Sequence, residues 1–131
     1  MYKINLVYFS CGRDKEMLKI SIDASRRHYS FNKIFVFSDP NDPIRKDSFF
    51  KDIIIKERKS GSQKLYGLEN IGDMHDCLKI AAKDCDYVLK KDSDIIDCSN
   101  KAYSKLNRNT YDCYGCFDGA FLGIHGPYAG A

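Results

Sequence analysis

Apolar and polar positions alternate along this chain in short blocks that switch repeatedly between a strand-like and a helix-like period. Lys3-Ile-Asn-Leu-Val-Tyr-Phe-Ser10 reads as a first strand, bounded by Cys11-Gly12-Arg13. Asp14 stands where an N-cap belongs, ahead of a helix from about Lys15 to Tyr29 that carries Leu18, Ile22 and Ala24 toward a sheet. Lys33-Ile-Phe-Val-Phe-Ser38 is a second strand, ended by Asp39-Pro40 because proline cannot continue the ladder. Strand, helix and strand in that order make a βαβ unit with a right-handed crossover.

Asp39 to Ser48 reads as a loop, Ile53-Ile54-Ile55 as a third short strand, and Glu57 to Gly67 as a second, charged loop. The next helix places Met74, Cys77, Leu78 and Ala81 at i, i+3, i+4 and i+7, one buried face, and ends near Lys83. Tyr87-Val88-Leu89 then starts as an apolar run suited to a buried strand. Within two residues it turns polar and delivers Asp92 and Asp94 at the strand's carboxyl end, the side on which open α/β sheets bind ligands. Past Cys98, a short helix opens at Ser99 with Ala102, Tyr103 and Leu106. Tyr111–Phe117 and Gly119–Ile124 read as two more strands, with a hairpin turn at Asp118-Gly119. The alternating order predicts an α/β fold: a Rossmann-like three-layer sandwich around a mainly parallel sheet.

Composition narrows the function classes. At 131 residues the chain has the size of one domain, and nine tyrosines with eight phenylalanines argue against disorder. A net charge of +3, with no Lys/Arg block longer than two, gives no nucleic-acid footprint. No apolar run reaches membrane-spanning length and the amino terminus lacks a signal-peptide core, so no transmembrane segment and a cytoplasmic location are expected. The six cysteines, at 11, 77, 85, 98, 113 and 116, are scattered through helix, strand and turn contexts. Cys77, on an apolar helix face, and Cys113, in a strand-like run, read as small buried hydrophobes, and reduced thiols are expected throughout. Cys113-Tyr-Gly-Cys116 is a lone pair without zinc spacing, and it does not precede a helix as a redox dithiol does.

The stretch from Ala81 to Ile96, with its strand Tyr87-Val-Leu, Lys90 and then Asp92-Ser93-Asp94, resembles the metal-binding segment of GT-A-fold glycosyltransferases. It is most similar to the beta-1,3-galactosyltransferase type, in which a lysine precedes an acidic triplet. Ser93 replaces the middle acid and leaves an Asp-x-Asp core. The resemblance implies a GT-A-like nucleotide-sugar-binding domain over residues 1–131, in which Mn²⁺ or Mg²⁺ bridges the diphosphate of a nucleotide-diphosphate sugar, a UDP-sugar for preference. Asp94 would be the direct ligand, with Asp92 on the ribose or on the metal through water, and Lys90 orienting the turn or approaching phosphate. Transfer would be to a glycan or other acceptor. The acceptor half and its base are expected beyond the Gly126–Ala131 stretch, with an uncovered edge that favours a homo-oligomer.

Each of these residues has a plainer reading. Asp-Ser-Asp is also an ordinary solvated turn, and Lys90 an ordinary strand-end lysine. Phe9, Ser10 and Arg13 lie where similar folds admit the nucleotide, Gly12 and the following helix N-terminus offering backbone N–H groups to an anion. Arg13 equally suits an exposed first turn. Asp39 suits uracil or ribose, or simply starts the turn before Pro40. His125 is a third-ligand candidate after an apolar strand, while His75 reads as helix surface. Asp118 is a weak catalytic candidate beside its hairpin reading. A catalytically silent nucleotide-sugar or small-ligand module is the alternative to an enzyme.

Overall fold

The structure is a computed structural model that describes residues 2–60, 68–104 and 106. Asp118, His125, Cys113, Cys116 and the two strands expected over 111–124 lie outside the described residues. The chain forms two compact units, Met1–Cys98 and Ser99–Ala131.

In the first unit, β1 (Ile4–Ser10), α1 (Lys15–His28), β2 (Lys33–Ser38), β3 (Ile54–Glu57), α2 (Leu68–Ala81) and β4 (Tyr87–Lys91) follow one another as the hydrophobic pattern predicts. The four strands make one sheet in the order β3-β2-β1-β4, and every neighbouring pair is parallel. This is an α/β fold. The chain winds outward from β1 through β2 to β3, then crosses back to lay β4 along the other side of β1.

Strand side chains alternate between faces, and both faces of β1 and β2 are covered. One face brings Leu6, Tyr8, Ile34 and Val36 against Leu18 and Ile22 of α1, with Ile44, Phe50 and Ile53 from the β2–β3 connection. The other brings Val7, Phe35 and Phe37 against Cys77 and Ala81 of α2. Burial on both sides explains why β2 reads as an unbroken apolar run: its last five residues are all buried. Each large aliphatic side chain so buried contributes about 1.5–3 kcal/mol.

Several boundaries differ from expectation, each for a local reason. The third strand begins at Ile54; Ile53 precedes it, in the core, its N–H donating to the Phe50 carbonyl at 3.0 Å. Asp14 occupies the N-cap position but makes no side-chain cap bond. A 3₁₀ turn over Gly12–Asp14 leads into α1, and the Asp14 carboxylate accepts instead from the Cys11 thiol and from Arg13. On α2 the fully buried strip is Asn70, Asp73, Cys77 and Ala81, while Met74 and Leu78 are only partly covered, so the helix is rotated toward its polar side. β4 is half-buried along Tyr87, Val88 and Leu89, because it ends the sheet among the described residues. The β2–β3 loop is more structured than its composition suggests. Ile44 is buried with its N–H on Ser38 Oγ at 2.7 Å, and Asp47 caps a 3₁₀ turn at Ser48–Phe50.

Of the second unit, the described residues contain one helical turn, α3 (Lys101–Ser104). Its Lys101 N–H reaches Ser99 Oγ at 3.4 Å, in keeping with a helix opening at Ser99.

Candidate functional site

The parallel register brings the carboxyl ends of β1, β2 and β4 to one edge of the sheet: Ser10 pairs with Ser38, and Tyr8 with Lys91. Because β1 sits where the winding direction reverses, the gap between the ends of β1 and β4 is the crevice in which open α/β sheets take their ligands. The acidic stretch lands there. Asp92 to Ile95 form a turn closed by the Ile95 N–H on the Asp92 carbonyl at 3.1 Å. Ser93 points inward, buried, with its Oγ 2.8 Å from Ser10 Oγ, while Asp92 and Asp94 stay exposed. A serine in the middle of the triplet thus supplies an anchor that a carboxylate could not provide without burying charge.

Lys90 extends along the outer face, its Nζ 3.0 Å from Asp92 Oδ1 and 5.8 Å from the centre of the Phe9 ring. Both partners of this ion pair are solvent-accessible, so it orients Asp92 at a worth of about 0–1 kcal/mol. Phe9 itself stacks on Phe37, with centroids 5.5 Å apart. The Arg58 guanidinium lies 4.9 Å from the Phe9 ring centre.

Arg58 follows β3 and is held on α2. Its Nε donates to Asp73 at 2.9 Å and its second terminal nitrogen to Asn70 at 2.6 Å. Asp73 also faces the Lys59 and Ser60 amides at 3.3 and 3.4 Å. The Arg58 and Asp73 side chains are only 9% and 6% exposed. Cys77, one turn on, has its thiol pushed up to about 11 by burial and then by Asp73. Sequence reading missed this network. A buried Asp at the i−4 position from Cys77 was its only trace.

On the opposite face a second network underlies the acidic turn. Lys91 is buried, paired with Asp97, and donates to Ser25 Oγ at 2.8 Å. Tyr8 Oη lies 3.4 Å from Ser25 Oγ and 2.7 Å from Ser21 Oγ, and Ser21 donates to the Ile95 carbonyl. Burial raises the Tyr8 phenol above its ordinary value, so it remains a hydroxyl.

The β1–α1 junction differs from the anion cradle that Gly12 suggests. Gly12 N–H donates to the Asp42 carbonyl at 2.8 Å and Arg13 N–H to Asp42 Oδ2 at 2.8 Å, so the chain's own carboxylate takes that place. Gly12 is needed for this approach: a Cβ there would stand 2.5 Å from Asp42 Oδ1. The Arg13 side chain is exposed, and among the described residues it pairs with Asp14, at 3.3 Å. Asp39 is buried, with Oδ1 accepting from the Asn41 N–H at 2.8 Å, the geometry of a turn-starting aspartate, and its own N–H on the Ser10 carbonyl at 2.9 Å. His75 is on the helix surface.

Phe9, Ser10, Lys90, Asp92 and Asp94 therefore share one edge, which Arg58 also borders. Asp92 and Asp94 are hard oxygen donors of the kind Mg²⁺ and Mn²⁺ favour. Among the described residues no group of three His, Cys, Asp or Glu side chains could hold a metal on its own. Two carboxylates alone would leave most positions around such a cation to phosphate oxygens and water. Among the same residues no helix is long and apolar enough to cross a membrane. Comparison of the chain with protein-family models, with curated proteins and with solved structures returned no match.

Proposed function

We propose that this chain binds a nucleotide-diphosphate sugar at the carboxyl edge between β1 and β4, as the donor-binding part of a GT-A-like, Rossmann-like glycosyltransferase acting on a glycan or other acceptor. The observation that carries the reading is the buried Ser10–Ser93 bond. It fixes an Asp-x-Asp turn at the sheet's switch point with both carboxylates left to solvent. Asp92 and Asp94 would hold Mn²⁺ or Mg²⁺ together with the diphosphate. When bound, such a cation offsets the negative charge that grows on a departing nucleoside diphosphate. The chain's own residues orient and screen: Lys90 holds Asp92, and Ser93 fixes the turn. Phe9, braced by Phe37 and Arg58, forms the apolar wall beside it.

Calorimetry with UDP, in Mn²⁺ and in chelator, tests this. Binding is expected only with the metal, and Asp94→Ala should weaken it by about 100-fold, equivalent to about 2.7 kcal/mol. Equal affinity in both conditions would overturn the reading.

A further inference from the structure

The polar network beneath the acidic turn begins and ends on the same loop. Lys91 contacts Asp97 and donates to Ser25; Ser25 stands by Tyr8; Ser21, donating to the Ile95 carbonyl, leaves Tyr8 as the donor to Ser21. Asp97 and Ile95 are thereby tied to α1 and β1 through four polar side chains, Lys91, Ser25, Tyr8 and Ser21, on the opposite face from Lys90. Lys91, Ser21, Ser25 and Tyr8 are all buried, and an ammonium is costly to keep there unless its donors are taken up. An apolar residue at 91 would serve packing alone. The loop residues it reaches flank the turn that displays Asp92 and Asp94, and Ser93 fastens the middle of that turn to Ser10. Hydrogen bonds in such a chain polarise one another, so loss of one link loosens the rest.

We propose that Lys91 is a positioning residue: through Asp97 and the Ser25–Tyr8–Ser21 relay it sets the conformation in which Asp92 and Asp94 together meet their ligand. The role in ligand binding rests on the function proposed above; the role in fixing the turn does not. The experiment separates them by pairing amide hydrogen exchange with Mn²⁺-dependent UDP binding on Lys91→Met, Ser21→Ala and the double variant Lys91→Met/Asp97→Leu. Lys91→Met should speed exchange across residues 92–97 by about tenfold or more, leave β1 amides unchanged, and weaken Mn²⁺·UDP by about 10- to 100-fold. Ser21→Ala should act in the same direction, more weakly, and decides the matter if Lys91→Met does not fold. The double variant removes both charges, so it should recover thermal stability while the turn stays loose and binding stays weak. Recovery of binding together with stability would show that the pair serves only the fold and would overturn the proposal. So would unchanged exchange over 92–97 in Lys91→Met. Failure of the wild-type chain to bind Mn²⁺·UDP would instead sink the proposed function, and exchange alone would then judge whether Lys91 sets the turn.

Discussion

Replacing Asp73 by alanine takes away the carboxylate that holds Arg58, at 2.9 Å, and that faces the Lys59 and Ser60 amides. Both charged side chains are more than nine-tenths buried, so the variant leaves a guanidinium without its counter-charge in a poorly solvated place. Breaking such a pair from one side costs about 3–5 kcal/mol, against a total of about 5–15 kcal/mol for a domain. With a urea slope of about 1–3 kcal/mol per molar, the unfolding midpoint should fall by about 2 M. The measurement is urea denaturation followed by circular dichroism. Arg58→Met combined with Asp73→Leu is the informative control, since it removes both charges and keeps the volume. It should recover most of the loss, leaving about 1–3 kcal/mol for amides that lose their acceptor. An Asp73→Ala loss below about 1 kcal/mol would mean that water reaches the pair as it does a surface bridge. A double variant as unstable as the single one would show that the packing around Phe9, rather than the charge, was what Asp73 supported.

Two further outcomes follow from the loops. Lys19, then Lys15, hold the Asp47 carboxyl down to about 2 from 3.8, so its contribution to stability is complete above about pH 5 and is lost as pH falls from about 4 through 2. Thermal melts against pH should show the gap between wild type and Asp47→Asn closing over that window; a gap unchanged down to pH 2 would refute the assignment. Gly12→Ala should destabilise the chain by about 1–3 kcal/mol, because its Cβ meets Asp42 Oδ1 at 2.5 Å and the Pro43 carbonyl at 3.0 Å. Shortening the neighbour in Gly12→Ala/Asp42→Ala should relieve part of that loss in the same melts, and strict additivity would argue against the contact.

Much of the fold was legible because it rests on short-range periodicity. Leu18, Ile22 and Ala24 mark one face of α1, and the passage from Tyr87-Val-Leu to Asp92 marks the exit of a strand. What stayed hidden depends on which distant groups meet. Ser21 and Ser25, one turn apart on the same buried face, read as neutral helix residues until Tyr8 and Lys91 give them partners. Arg58 and Asp73 are fifteen positions apart, and no local pattern couples them. Gly12 read as a place where backbone N–H groups meet an anion, and only the fold reveals that Asp42 of the same chain takes them. The acidic turn's position was readable; its anchoring by Ser93 needed the register of β4 on β1.

Lys90 and Lys91 have a consequence for how reliably the sheet assembles. They are neighbours of the same type with opposite fates, one facing Phe9 and solvent, the other sealed against α1. A slip of β4 by one residue along β1 would exchange them. Lys90 would enter the site lined by Tyr8 and Ser25, Lys91 would swing outward, and Ser93 would turn away from Ser10. A run of valines at the same strand end would tolerate that error, since either face would accept it. Because a lysine follows a lysine, the inward ammonium alone does not tell the two alignments apart, whereas the Ser93–Ser10 bond forms in only one of them. The serine pair is therefore the register mark of β4, at the edge where the acidic turn must come out in the right phase.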